Sequence, residues 1–403
     1  MSALTRDLRT RRHDSSRLRE DAWPVLQPPA TLGVVGSGQL GRMFIHAAQR
    51  LGYRTAVLGD DLDAPAAQLA HRSIIGSSSD LAAVREFATL AEAVTVEFEN
   101  VSAPALRWMS RFRPVRPGWK TVWTAQNRLR EKTFLSRHGF PLTRWRPVRS
   151  EAELTAAVRE LGLPLILKTA ASGYDGKGQV LLDHAGKAEP AWQSLERAPC
   201  VAEAWVDFAA EVSVVVARSR DGSAVAYPVA QNEHRRHILD STVMPAPVGP
   251  CLTLEARCLA LSVAQALGTI GVLTVEYFLT GEGRLLINEL APRPHNSGHV
   301  TIEAALCSQF EQQVRALCGL PLGGSDLIMP AAMVNLLGDL WSRGEPLWDR
   351  ALGLDPGVRL HLYGKTAPAP GRKMGHLTVL DPDPATALAR AKAARQALLR
   401  DGS

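Results

Sequence analysis

A short strand-like run, Thr31–Val35 (TLGVV), leads straight into GSGQLG and then into an amphipathic stretch over residues 42–51. A strand that turns into a helix through three closely spaced glycines leaves few folds open. The turn must be tight, and the next strand returns parallel to the first. Residues 54–58 (RTAVL) supply that second strand, a helical segment follows over residues 81–90, and residues 93–98 (AVTVEF) form another strand. This alternation predicts a doubly wound parallel sheet for residues 31–122.

The same glycines, Gly36, Gly38 and Gly41, spell the dinucleotide fingerprint, with Asp60 or Asp61 about 20 residues on where a ribose-binding acid would sit. A dehydrogenase is therefore one reading. Physically the loop secures backbone N–H groups aimed at an anion from a helix start, and the phosphate of any small metabolite would serve.

At 403 residues, two or three domains are expected. No apolar run reaches 18 residues, so no membrane partner is expected. A net charge of +6 suits anionic substrates, and without a basic stripe interleaved with aromatics nucleic acid is not an expected partner. The five cysteines form no CxxC pair, as in a cytoplasmic protein with reduced thiols. Residues 1–30 are Arg-rich, carry Asp7, Asp14, Glu20 and Asp21, lack a secretory apolar stretch, and read as a disordered extension. Only eight of the 46 basic residues are lysines, and five of them (Lys132, Lys168, Lys177, Lys365, Lys373) fall in the motifs below, where a compact point charge is useful.

RFRPVRPG, residues 111–118, marks a boundary, and residues 125–138 have helical periodicity. LPLILK, the glycine-rich SGYDGKGQ and VLL then read as a hairpin flap. Antiparallel strands are expected at residues 200–205, 211–218, 224–228, 274–279 and 284–288. Beyond residue 323, strand-like pieces at 359–363 and 376–379 precede an Ala-rich helix. The expected organisation is a central unit over residues 123–322, with its flap lobe at about 147–205, and a small terminal domain over 323–403. The class is α/β, α+β overall.

Four features of the central unit belong together chemically. Lys168 ends an apolar strand, where its ammonium can reach a nucleotide phosphate. Gly173, Gly176 and Gly178 let a flap carrying Lys177 close over phosphates. Glu203 sits where a hinge carboxylate and backbone could hold a ribose and an adenine edge. Glu276 and Glu289, ending neighbouring strands beside Asn288, are hard oxygen ligands suited to Mg²⁺, with Mn²⁺ as an alternative.

With GSGQLGRM, TVEFEN, LKTAASGYDGKGQ, AEAWVDFAAEVSVVVAR, INELAPRPHNSGH and PGRKMGH in this order, the chain resembles the ATP-grasp enzymes of purine biosynthesis, the 5-(carboxyamino)imidazole ribonucleotide synthases most of all. The resemblance covers residues 31–379. It implies an ATP-grasp fold and ATP- and bicarbonate-dependent carboxylation of the amine of 5-aminoimidazole ribonucleotide by a homodimer.

By this similarity Arg128 and Lys168 contact ATP phosphates, and Gly173, Tyr174, Asp175, Gly176, Lys177, Gly178 and Gln179 form the closing flap. Tyr174 also approaches the ribonucleotide. Glu203, Ala204, Trp205 and Val206 form the adenine hinge, Glu211 meets the ribose, His234 lies on the nucleotide side, and Glu276 and Glu289 hold the metal with Asn288 beside them. Gln39 and Leu40 present backbone to the ribonucleotide, and Glu97 faces its amine with Glu99 in support. Arg293, Asn296, Ser297 and His299 line the reaction centre, and Lys365, Arg372 and Lys373 grip the sugar phosphate. Competing readings are a formate-dependent glycinamide ribonucleotide transformylase of the same fold, a biotin-carboxylase-type enzyme, and a catalytically silent nucleotide-binding protein.

Overall fold

The glycine loop joins the first strand, β1 (Thr31–Val35), to the helix Gln39–Arg50, as the sequence requires. A computed structural model describes residues 23–171, 173 and 176–400 of the chain. β2 (Arg54–Gly59), β3 (Arg72–Ile75) and β4 (Ala93–Val96) complete a parallel sheet in the order β3-β2-β1-β4. The helix Leu81–Leu90 lies close on this sheet. A Cβ at Gly33 would come within 2.6 Å of Phe87, so only glycine lets the two elements meet there. Residues 23–30 were expected to belong to a disordered extension, but Leu26 and Ala30 anchor them on the core, while most of the others are exposed. The Leu26 N–H donates to Cys318 O, Leu26 O accepts from Tyr53 Oη, and the Leu26 side chain joins the core beneath. Residues 1–22 lie outside the described residues.

The anion at the start of the first helix belongs to the protein. Glu97 Oε1 accepts from the Gly38 N–H and Oε2 from the Gly41 N–H, each at 2.7 Å. Gly36 turns the chain at φ +111°, and a Cβ there would lie 2.2 Å from Glu97 Cγ. The glycines thus make room for a carboxylate. This corrects the reading of the loop as a phosphate cradle and removes the support for dinucleotide binding.

The helical stretch expected over residues 125–138 is broken at Asn127, whose side chain caps a new helix, Arg128–Arg137, by accepting from the Arg130 N–H. Next come β5 (Trp145–Val148), β6 (Leu165–Thr169), β7 (Gln179–Leu182) and β8 (Cys200–Ala204), an antiparallel sheet ordered β5-β8-β6-β7. β6 and β7 form the expected hairpin, with Lys168 opposite Gln179.

The remaining strands form one nine-stranded sheet: β9 (Phe208–Arg218), β10 (Ala224–Ala226), β11 (Ala230–Arg235), β12 (Ile238–Met244), β13 (Gly271–Thr280), β14 (Leu285–Ala291), β15 (Ala331–Leu337), β16 (Arg359–Leu362) and β17 (Lys373–Leu380). Its order is β14-β13-β9-β11-β12-β15-β17-β16, with β10 on β9. The strands after residue 323 therefore hydrogen-bond onto β12 through β15. Glu276 and Glu289 do not end their strands as expected. They face each other in mid-strand across β13 and β14, beside a bulge.

Gly36→Ala should lower stability by about 2 kcal/mol or more, because the new methyl needs a left-handed backbone and the space of Glu97. Urea unfolding measures this. A loss below about 0.5 kcal/mol would mean that the loop yields.

Candidate active site

The flap sheet, the open face of β13 and β14, the first glycine loop and the segment before β17 enclose one cleft of about 1440 Å³. That exceeds the space a single small ligand usually fills and leaves room for a nucleotide and a second molecule.

Its base is a buried ionic network. Glu203 Oε2 accepts from Lys168 Nζ at 2.7 Å, and Glu203 Oε1 lies 3.0 Å from Lys132 Nζ. Lys132, fully enclosed, also donates to Asn288 O at 2.8 Å. Burial works against the charged Glu203, but Lys132 and Lys168 outweigh it and hold the carboxyl well below its ordinary range. Burial, with Arg128 and Lys132 nearby, lowers Lys168, and Glu203 counters this. From sequence the Glu203 carboxylate is expected at the ribose and adenine edge. The structure corrects this, since that carboxylate is turned inward and spent on two lysines. Lys132 and Glu131 were not among the expected site residues. Burial pushes Glu131 up to about 8, and its Oε2 accepts from the Leu290 N–H.

The bulge in β14 does local work. Tyr277 pairs with Ile287 and Glu276 with Glu289, so Asn288 is the extra residue. Neighbours on a strand normally point to opposite faces, whereas here both Asn288 and Glu289 line the cleft. Lys168 Nζ lies 3.5 Å from Asn288 Oδ1. Arg128 donates to Glu289 Oε2 at 2.7 Å, and this guanidinium with Lys168 and His295 overcomes burial to hold Glu289 down at about 2. Two carboxylates and an amide oxygen are an all-oxygen donor set that fits Mg²⁺. Among the described residues no group of three or more His, Cys, Asp or Glu encloses a metal.

Beside this network Ala204, Trp205 and Val206 carry the chain from β8 to β9, and Trp205 is half exposed. Ile166 and Phe278, the latter stacked on Phe208 at 4.8 Å, add apolar surface for a planar ring. Glu211 pairs with His234; burial opposes the imidazolium, but Glu211 raises it. Of the flap, Gly173, Gly176, Lys177, Gly178 and Gln179 line or border the cleft, while Tyr174 and Asp175 lie outside the described residues. Gly176 (φ +79°) packs against His237 in the β11–β12 turn.

At the other end Gln39, Leu40, Glu97, Lys365, Arg372 and Lys373 share the cleft wall. Burial raises Glu97 despite its two N–H donors. Arg293 forks onto Glu99, with Nε–Oε2 at 2.6 Å and Nη2–Oε1 at 3.3 Å. Lys365 Nζ donates to Lys373 O at 2.7 Å. Asn296 faces the cleft 8% exposed, and neither amide atom has a partner among the described residues, as expected of a group kept for a ligand.

Of the expected reaction-centre residues, Ser297 is fully buried behind His295, while His299, though only 1% exposed, lines the cleft and packs against His376 with ring centroids 5.0 Å apart. Burial among other cationic groups drives His299 well below the ordinary histidine range. His295, absent from the expected set, also lines the cleft, with Nε2 3.2 Å from Glu276 Oε1. The available signal was its place in PRPHNSGH, between Arg293 and Asn296.

Glu203 and Glu289 both have carboxyls lower in the fold than the unfolded value of about 4.3, so their stabilisation is complete above about pH 5 and is lost as pH falls through 4.3 towards 2. Glu203→Gln should be less stable than wild type at pH 7 but lose less between pH 5 and pH 2.5. Denaturant titrations across that range test this, and equal losses would remove Glu203 from the acid response.

Residues 29–126 match the ribonucleotide synthetase preATP-grasp domain, residues 133–310 the ATP-grasp domain, and residues 331–390 the phosphoribosylaminoimidazole carboxylase C-terminal domain. The chain is 41% identical over 356 residues to an N5-carboxyaminoimidazole ribonucleotide synthase of Bacillus subtilis strain 168, covering 88% of this chain and 93% of the relative. To the synthase of Brucella melitensis it is 40% identical over 359 residues, covering 89% and 98%. A crystal structure of an N5-carboxyaminoimidazole ribonucleotide synthetase in complex with ADP aligns with TM-score 0.87 at 40% identity, over 92% of this chain and 97% of that one. The Aspergillus clavatus synthase in complex with ADP and 5-aminoimidazole ribonucleotide aligns with TM-score 0.83 at 31% identity, over 92% and 98%. With three family domains in sequence and relatives of this identity matched almost end to end, the chain belongs to the N5-carboxyaminoimidazole ribonucleotide synthase family of ATP-grasp ligases.

Proposed function

We propose that the protein uses ATP and bicarbonate to carboxylate the amine of 5-aminoimidazole ribonucleotide, releasing ADP and phosphate by way of carboxyphosphate. The observation that carries this reading is a single cleft with a lysine-and-carboxylate floor at one end and a wall of Lys365, Arg372 and Lys373 at the other. A triphosphate and a second, phosphorylated ligand would lie end to end in it.

Arg128 and Lys168 bind the ATP phosphates under the flap, Ala204 to Val206 receive the adenine, and Glu211 with His234 meets the ribose. Glu276 and Glu289, with Asn288, would hold Mg²⁺ or Mn²⁺, which when bound neutralises charge on the phosphates. A bicarbonate oxygen attacks the γ-phosphorus, and the bond to ADP breaks. The amine of the ribonucleotide then attacks the carbonyl carbon of carboxyphosphate, or CO₂ released from it, as inorganic phosphate leaves and the amine gives up a proton. Arg293, steadied by Glu99, supplies positive charge beside the reacting anions. Asn296 offers an amide to the second ligand, Glu97 faces its amine, and the wall of Lys365, Arg372 and Lys373 takes its phosphate. The flap keeps water from an intermediate that hydrolyses readily. The family reading also implies a homodimer in the cytoplasm. No helix among the described residues is long and apolar enough to cross a membrane.

ADP formation with Mg-ATP and bicarbonate should be stimulated by 5-aminoimidazole ribonucleotide and not by formate with glycinamide ribonucleotide. Stimulation by the second pair alone, or by neither, would overturn the proposal in favour of the transformylase or a silent binder. Glu289→Gln should lower ADP formation by about 100-fold or more with the fold intact, and near-normal turnover would remove it from the metal edge. Lys365→Ala should raise the KM for the ribonucleotide about tenfold while that for ATP stays within about twofold. An unchanged ribonucleotide dependence would place Lys365 elsewhere.

A further inference from the structure

Behind His295 runs a buried line of small polar side chains that the reaction above does not use. Thr242 Oγ1 donates to Asn232 Oδ1 at 3.0 Å, and Asn232 Nδ2 donates to Ser213 Oγ at 3.0 Å. Ser213 Oγ lies 2.8 Å from Ser297 Oγ, which lies 2.9 Å from His295 Nδ1. All four side chains behind the imidazole are buried, and they come from β12, β11, β9 and the turn after β14.

Each hydroxyl has one proton to give, which orients the chain. Ser213 accepts from the Asn232 amide and, because the one hydroxyl proton of Ser297 goes to the acceptor Nδ1 of His295, gives its own proton to Ser297. Ser297 then accepts from Ser213 and gives its proton to His295 Nδ1. A second donor meets the same atom, the Ser297 backbone N–H at 3.3 Å, and an N–H can only donate. Nδ1 is thereby an acceptor, which leaves the ring proton on Nε2, 3.2 Å from Glu276 Oε1. Gln309 fixes the backbone that carries the ring. Its Oε1 accepts from the His295 N–H at 2.9 Å and its Nε2 donates to His295 O at 2.7 Å.

We propose that Thr242, Asn232, Ser213 and Ser297 form an oriented hydrogen-bond relay that holds His295 as its Nε2–H tautomer, so that the ring donates to Glu276 and fixes that carboxylate opposite Glu289. The four are positioning residues. Asn232 also borders the cleft, whereas Thr242, Ser213 and Ser297 reach the reacting groups only through His295, and the effect of the relay is on how Glu276 is aimed. The proposal rests on the functional reading above for the role of Glu276, while the tautomer itself is independent of it.

Nitrogen NMR of the substrate-free protein labelled with ¹⁵N-histidine reads the tautomer directly, with His295 assigned by the signals lost in His295→Gln. A protonated Nε2 beside an unprotonated, hydrogen-bonded Nδ1 is the expected result. A proton on Nδ1, with or without one on Nε2, overturns the proposal. In kinetics, Ser297→Ala should lower kcat about tenfold with both KM values within about twofold and little change in melting temperature, and Ser297→Thr should restore most of the loss. Asn232→Asp, which turns the donor to Ser213 into an acceptor and reverses the chain, should lower kcat comparably. Wild-type kcat in folded Ser297→Ala or Asn232→Asp overturns the relay. Should the tautomer be as expected while the wild type makes no ADP with 5-aminoimidazole ribonucleotide, the functional reading fails and the relay stands.

Discussion

The Glu203 carboxylate, shut between Lys132 and Lys168, ties three parts of the molecule into one site. It comes from the flap sheet, Lys132 from the helix after Asn127, and Asn288, which Lys132 also holds, from the central sheet. A lysine buried without a partner would give up its proton and with it any use to a phosphate. Burial lowers Lys168, and Glu203 counters that by favouring its charged form. Lys132 serves the opposite edge, since its bond to Asn288 O pins the bulge that turns Asn288 and Glu289 towards the cleft together. Removing one member of such a group leaves a buried charge unmatched, a loss of about 3–5 kcal/mol in comparable cases. The lysine proposed for a phosphate and the edge proposed for a metal therefore cannot be separated energetically.

The first glycine loop obeys the same rule with the signs exchanged. A helix start with close-set glycines attracts an anion, and the sequence left open which one. Here it is Glu97, delivered from the end of β4 by the pairing of β4 with β1. The loop becomes a device for placing a carboxylate in the cleft wall, and Gln39 and Leu40 form that wall beside it.

Much of this was legible where local pattern and chemistry coincide. Apolar runs marked β1, β2, β4, β6 and β13, and the glycines of SGYDGKGQ marked the hairpin joining β6 and β7. What escaped is polar and set by distant partners. β11 (AQNEHR) carries no apolar alternation because Asn232 and His234 point into the site, so a strand of the central sheet does not look like one. Lys132 is indistinguishable in sequence from a surface helix lysine until Glu203 and Asn288 are placed beside it. Within PRPHNSGH the residues could be located but not ranked. That His295 and His299 line the cleft while Ser297 is buried depends on the 3₁₀ turn at residues 296–298, and on Gln309 against Gly298, where a Cβ would lie 2.2 Å from Gln309 Oε1.

Taken together, several charged groups of the cleft are already paired with the sign their proposed ligands would bring. Arg128, proposed for a phosphate, holds Glu289; Glu289, proposed for a cation, holds Arg128; Arg293 holds Glu99. Binding a nucleotide with its metal is then an exchange of partners. Each group leaves a contact in the protein for one of like sign on the ligand, and no charge crosses the cleft unpaired. Such an exchange limits the desolvation cost of bringing a triphosphate into a partly buried site, because the protein's charges are desolvated on folding and not on binding. It also makes the two edges cooperate: a phosphate that draws Arg128 away frees Glu289 for the metal, and a metal on Glu289 frees Arg128 for the phosphate.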